Sequence, residues 1–216
     1  MDAIERMLGG YRAFRANMPE DHTKKLRALV EAGQSPQAAV IACSDSRVDP
    51  AFVFRAEPGD IFMIRNVANL VPPMEEEGTF HGTSAALEFA VLGLNVPNII
   101  VLGHAHCGGV AALCKSMKKD KEVEITDNPS DFIESWVDIA KPALSKICFD
   151  NKEEIIEVNS ERAVLLYSYN NLLTYPWLND AINEKSLAIH AWWFDFKSVT
   201  LWKKAQGSNS FMPMEF

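Results

Sequence analysis

The chain has 216 residues, 48% of them hydrophobic and 23% charged, enough for one sizeable α/β domain with its own core and within the ordinary soluble range. Its formal net charge of −8 argues against a nucleic-acid surface, because phosphate binding needs clustered Lys and Arg. No run approaches the roughly 20 apolar residues needed to cross a bilayer.

Residues 1–17 read as an amphipathic helix, with Ile4, Met7, Tyr11 and Phe14 at helical spacing. Asp2, Glu5 and Arg6 come early, with no apolar stretch of the secretory kind and too much acid for a transit peptide, so a cytoplasmic location is expected. After the turn signal Gly33-Gln34-Ser35-Pro36, residues 38–42 form a continuous apolar run of strand length, as expected inside a sheet covered on both faces. Residues 61–64 repeat the pattern after Pro58-Gly59-Asp60, and residues 98–102 repeat it after Asn95-Val96-Pro97. Between them, residues 83–94 are apolar nearly all round, which predicts a buried helix.

A Gly-Gly pair after Cys107 opens a helix over 110–117. The basic run Lys115, Lys118, Lys119 and Lys121 reads as its solvated end, since acidic residues follow at once. Residues 127–130 form a loop, and Ser130 or Asp131 caps a helix reaching to about 147. Residues 153–173 read as a long helix ended by Pro176, followed by a short helix over 177–184. Residues 187–196 look like a strand, with Trp192, Trp193 and Phe194 as β-formers. Apolar strands alternating with helices predict an α/β fold around a mostly parallel sheet. No repeat or linker interrupts it, so the chain reads as a single domain, an arm over 1–33 and a core over 38–216.

Chemistry concentrates at two strand ends. Cys43-Ser44-Asp45-Ser46-Arg47 follows the first strand directly, at the carboxyl end where open α/β folds place ligands. Three chargeable side chains there are costly unless paired or metal-bound. Gly103-His104-Ala105-His106-Cys107-Gly108-Gly109 follows another strand, and the two segments meet if the strands are neighbours. Cys43, His104 and Cys107 then suit one zinc ion, which prefers sulfur and nitrogen and, with three protein ligands, keeps a position open for water or substrate. His106 competes for the nitrogen place, though its adjacency to Cys107 strains a shared site. Cys114 and Cys148 read as small core residues. Asp45 and Arg47 suit a bidentate ion pair, which either ties the loop or, two residues from a zinc ligand, orients a reactive oxygen.

These segments resemble the β-class carbonic anhydrases, as do Pro58-Gly59, Arg65-Asn66-Val67-Ala68-Asn69 and Gly82-Thr83-Ser84-Ala85-Ala86. Asn171-Leu172-Leu173-Thr174-Tyr175-Pro176 and His190-Ala191-Trp192-Trp193-Phe194-Asp195 extend the likeness more weakly over nearly the whole chain. The resemblance implies a mostly parallel central sheet flanked by helices, with N-terminal helices packing on a partner subunit in a homodimer or a dimer of dimers. It implies reversible hydration of carbon dioxide to bicarbonate and a proton, by attack of zinc-bound hydroxide. Cys43, His104 and Cys107 would take one zinc per chain, and Asp45 and Arg47 would form the catalytic dyad. Asp45 can serve as a fourth ligand in a closed form.

Gly108 would offer its N–H to a bicarbonate oxygen, and Phe80 and Val67 would line the substrate pocket. Two thiolates donate more charge than imidazoles, so activity should rise with pH. Val40 stands where members with an allosteric bicarbonate pocket carry Trp, although Arg65 matches that pocket's arginine. Glu57 stands where plant-like members often carry Gln, and would add a titrating group near the cavity. The rival enzyme reading is a carbon disulfide or carbonyl sulfide hydrolase of the same fold. A merely structural zinc protein would not need both Asp45 and Arg47.

Overall fold

A computed structural model describes residues 2–75, 81–119, 132–145 and 153–215. Six strands form one sheet: β1 (Ala38–Cys43), β2 (Ile61–Asn66), β3 (Asn98–His104), β4 (Ala188–Asp195), β5 (Thr200–Lys204) and β6 (Phe211–Pro213). Their order is β2-β1-β3-β4-β5-β6. The β2-β1-β3-β4 block is parallel, whereas β5 and β6 add antiparallel strands beyond it. The mostly parallel sheet read from the sequence is therefore present, with a two-stranded antiparallel edge that the apolar runs did not reveal.

Burial explains why β1 and β3 were legible. Every residue of β1 is buried, and so is every residue of β3 after Asn98. Helices cover one face through Ile41, Ile99, Val101, Leu87, Leu165, Leu172 and Leu178. Val40, Ala42, Ile100 and Leu102 point to the opposite face, where Val48, Phe54, Trp192 and Phe194 cover them. Each fully buried Leu or Ile contributes about 1.5–3 kcal/mol relative to exposure. Winding runs outward from β1 to β2, then crosses back over β1 to β3. That reversal places a crevice at the carboxyl ends of β1 and β3, the usual ligand position in an open parallel sheet.

Three helical readings need correction. Residues 83–94 form α4 (Gly82–Glu88) and a wider π turn (Phe89–Gly93), closed by the Leu94 N–H on the Phe89 carbonyl at 2.9 Å. Only one side is buried, through Leu87, Ala90 and Val91; Phe89 and Leu92 are more than half exposed, because no element among the described residues covers them. Between α5 (Gly108–Lys119) and the long helix, the described residues give α6 (Phe132–Val137), a 3-10 turn (Asp138–Ala140) and α7 (Lys141–Leu144). One continuous helix is broken there because Pro142 sits in the first turn of α7. The long helix, α8 (Glu153–Leu172), closes on local turns of its own. Pro176 instead opens α9 (Pro176–Asn183), where a missing N–H has no consequence. The loop over 127–130, its capping residues, Lys121 and Cys148 lie outside the described residues.

The arm consists of α1 (Ala3–Ala16) and α2 (Glu20–Ala32), and neither contains a buried residue. α2 is latched to the core by Lys25, which pairs with Glu57 at 2.7 Å and Asp60 at 3.1 Å. Leu29 lies over Gly59, whose φ of +90° and lack of a Cβ permit that approach. Glu57, expected beside the cavity, serves this latch.

Candidate metal centre

Parallel pairing of Ala42 with Leu102 sets Cys43 level with the end of β3, so two segments distant in sequence share one crevice. The Cys43 and Cys107 sulfurs lie 3.9 Å apart. With a His104 nitrogen, the three ligand atoms fall within 4.8 Å of one another, and all three residues are buried. His104 Nδ1 donates to the Ala105 carbonyl at 2.8 Å, which fixes the tautomer and leaves Nε2 as the lone-pair atom. That Nε2 is buried without a hydrogen-bond partner. His106, the competitor, turns its ring to Glu157 at 3.0 Å instead.

The donor set fits a cation. The Cys43 and Cys107 sulfurs share one hydrogen bond, which draws the Cys43 pKa down and, with burial, pushes that of Cys107 up. Two thiolates side by side in a dry site both ionise only if a positive charge joins them. The orphaned imidazole nitrogen beside them completes a sulfur and nitrogen set suited to zinc.

Asp45 and Arg47 sit at the rim. Arg47 clamps the carboxylate with Nε at 3.0 Å and Nη2 at 2.7 Å, while its backbone N–H adds a bond of 2.9 Å. These contacts hold the Asp45 pKa down at about 2, the Arg47 side chain contributing most. Asp45 Oδ2 lies 3.9 Å from His104 Nε2, and the clamp keeps the carboxylate outside the ligand triangle. Arg47 is itself held by the His106 carbonyl at 2.7 Å and by the Phe196 ring, 5.0 Å from the guanidinium carbon. His106 adopts a left-handed φ of 54°, an uncommon conformation for a residue with a Cβ.

The surrounding frame is specific. Arg65 donates to the carbonyls of Cys43, Asp45 and Val48 and reaches Asp49, so it braces the Cys43 loop from beneath. Gly109 packs where a Cβ would come within 2.6 Å of Val67 Cγ1, which brings Val67 against the metal turn. Gly108 has open space before it. Phe80 lies outside the described residues. Trp136 donates to the Val67 carbonyl at 2.8 Å.

Glu161 on α8 escaped the sequence reading. It is 3% exposed and accepts N–H bonds from Cys107 and Trp193. Burial, chiefly, raises its pKa to about 7. The available signal was a charged residue beside the apolar stretch Ala163-Val164-Leu165-Leu166 of a long helix.

Comparison with known proteins identifies the family. A family model described as carbonic anhydrase matches residues 38–201. β-Carbonic anhydrase 3 of Arabidopsis thaliana is 36% identical over 213 residues, which cover 94% of this chain and 78% of that protein. The chloroplastic β-carbonic anhydrase 5 of the same plant is 37% identical over 209 residues. That match covers 94% of this chain but 65% of the relative, just under two thirds of its length. Among solved structures, the β-carbonic anhydrase CcaA superposes with a TM-score of 0.85 at 27% identity, covering 99% of this chain and 92% of that one. A tetrameric β-carbonic anhydrase of Sordaria macrospora shares the fold, with a TM-score of 0.79 at 24% identity over 96% and 98% of the two chains.

Proposed function

The chain belongs to the β-carbonic anhydrase family, and from that premise we propose that it catalyses the reversible hydration of carbon dioxide to bicarbonate and a proton with one zinc ion per chain. The observation that carries the reading is the Cys43, His104 and Cys107 triangle, with its unpartnered imidazole nitrogen, beside an Asp45 that Arg47 holds aside. The two thiolates and His104 Nε2 would hold the ion. Zinc supplies Lewis acidity there, making a nucleophile from water available near neutral pH.

Asp45 stays ionised to about pH 2 and is therefore a hydrogen-bond acceptor throughout the working range, able to orient an O–H toward substrate. Arg47 keeps that acceptor in place and away from the ligand triangle. Gly108 opens the first turn of α5, where a backbone N–H is available to an anionic product oxygen. Val67, joined by Phe80 in the same proposal, supplies an apolar wall for a substrate without charge. The sulfur-substrate alternative is not favoured, since the relatives are named as carbonic anhydrases. The tetrameric neighbour and the exposed faces of α1 and the π turn support a homodimer or dimer of dimers, with the arm packing on a partner.

The test is stopped-flow hydration of carbon dioxide with zinc content measured on the same sample. About one zinc per chain and turnover that rises from about pH 6.5 to 9 are expected. Zinc-loaded protein without turnover in that range would defeat the assignment.

A further inference from the structure

We infer that Glu161 is a positioning residue for the metal turn: its carboxylate pins the Cys107 backbone to β4, so that the Cys107 sulfur is presented in one place. The inference rests on the reading that the site holds zinc. Oε1 accepts the Cys107 N–H at 3.1 Å, and Oε2 accepts the Trp193 indole N–H at 3.2 Å. Trp193 lies opposite Gly103 in the β3–β4 register, one residue before the ligand His104. One side chain of α8 thus links the Cys107 amide to the neighbouring strand.

The arrangement is too costly to be incidental. A carboxylate at 3% exposure carries a large desolvation penalty, yet among the described residues Glu161 forms no ion pair. Its neighbour Arg162 faces elsewhere, stacked 4.5 Å from Trp193 and 4.7 Å from Trp202. What the site uses is two acceptor atoms on one rigid group. Cys107 needs one of them, because it stands just before α5, where the first amides have no partners within the helix. The amides of Val110 and Gly109 are directed at its sulfur, and its own amide is directed at Glu161, so the residue is held from both sides. The left-handed His106 immediately before it makes external support necessary, since strained turns persist only when their surroundings fix them.

Four variants of the full chain test this: Glu161→Leu, Glu161→Gln, Trp193→Phe, and Glu161→Gln combined with Trp193→Phe. Zinc affinity is read by competition with a chelator, melting temperature is read with and without zinc, and the Co(II) form gives a thiolate-ligation spectrum. Leu denies both N–H groups and occupies space that water would otherwise enter from the cavity of about 360 Å³ beside Cys107. It should weaken zinc binding about 10- to 100-fold, shrink the zinc-dependent rise in melting temperature and broaden the Co(II) bands. Gln can accept from only one N–H and turns an NH2 toward the other, so it should fall between Leu and the wild type. Trp193→Phe removes the competing donor, so the double variant should bind zinc within about twofold of Trp193→Phe alone.

A purely structural Glu161 would lower both melting temperatures equally and leave zinc affinity untouched. That result, or a double variant that binds zinc more weakly than Glu161→Gln, overturns the inference while leaving the metal reading intact. If Glu161→Leu does not fold, the two Gln variants decide. A wild-type chain that binds no zinc overturns the metal reading and this inference together.

Discussion

The strand ends that carry the candidate metal centre and the helical arm that precedes them obey opposite rules. At the carboxyl ends of β1 and β3 the protein's own chain encloses each ligand: Cys43, His104 and Cys107 are at most 4% exposed. In α1, by contrast, Ile4, Met7, Tyr11 and Phe14 all exceed half exposure and no residue is buried. The three candidate ligands of the first region all come from one chain. The second has an amphipathic pattern and no core to meet it. Local sequence is equally clear in both cases, so amphipathicity alone does not tell which surface a helix will cover.

Removing a ligand should break the first region outright. His104→Ala is expected to take zinc from about one per chain to none and turnover to background, with metal analysis and stopped flow as the two measurements. Arg47→Ala should keep the zinc yet lower kcat by about 10²-fold, because Asp45 loses the clamp that fixes it. Arg47→Lys should restore little of this, since a single ammonium lacks the bidentate fork.

Changes in the arm should leave the centre alone. Met7→Glu, Tyr11→Glu and Phe14→Glu together are expected to lower the solution mass, measured by light scattering, while zinc stays at about one per chain. Loss of zinc in that variant would show that the two regions are not independent.

The latch joining them gives the smallest effect. Glu57 and Asp60 have lowered pKa values, for Glu57 chiefly through Lys25 and for Asp60 through the Glu57 amide and then Lys25, while Lys25 is raised by both acids. The carboxylate contribution is present above the usual carboxylate range and lost as pH falls through the lowered values. The Lys25 contribution is present below its usual value and lost as pH rises through the raised one. The latch therefore works across the neutral window. Lys25→Ala should speed amide exchange in α2 by no more than about fivefold near pH 7, and less in high salt.

What sequence made legible divides along burial and periodicity. β1 and β3 are buried on both faces, so their apolar runs announced them, and the ligand-bearing segments followed at their ends. β5 and β6 are short strands at the antiparallel end of the sheet whose residues are mostly half-buried or exposed, with Lys203 and Lys204 among them, so no apolar run marked them. The π turn was invisible because its composition suits a buried helix, whereas among the described residues no element covers Phe89 and Leu92. Asp45 and Arg47 could be paired from spacing alone, being two residues apart. Arg65 and Glu161 could not be given their bracing roles in that way, since their partners are set by strand register and by the packing of α8. Arg65 drew notice only for a regulatory pocket; in the fold its guanidinium is occupied with three loop carbonyls and Asp49.

The sequence distance between the two sulfurs has a further consequence. Cys43 and Cys107 are 64 positions apart, with β2, α4 and all of β3 strung between them. A cation gripped by both would act as a removable cross-link around that circuit. Closing a loop of this size restricts the unfolded chain by roughly 4 kcal/mol in the chain-entropy treatment used for disulfides. The same ring cannot close on a growing polypeptide until Cys107 has emerged and β3 has paired with β1. Capture of the ion would therefore follow the pairing of β3 with β1, and chelation would lengthen the tether of the unfolded state as well as empty the site.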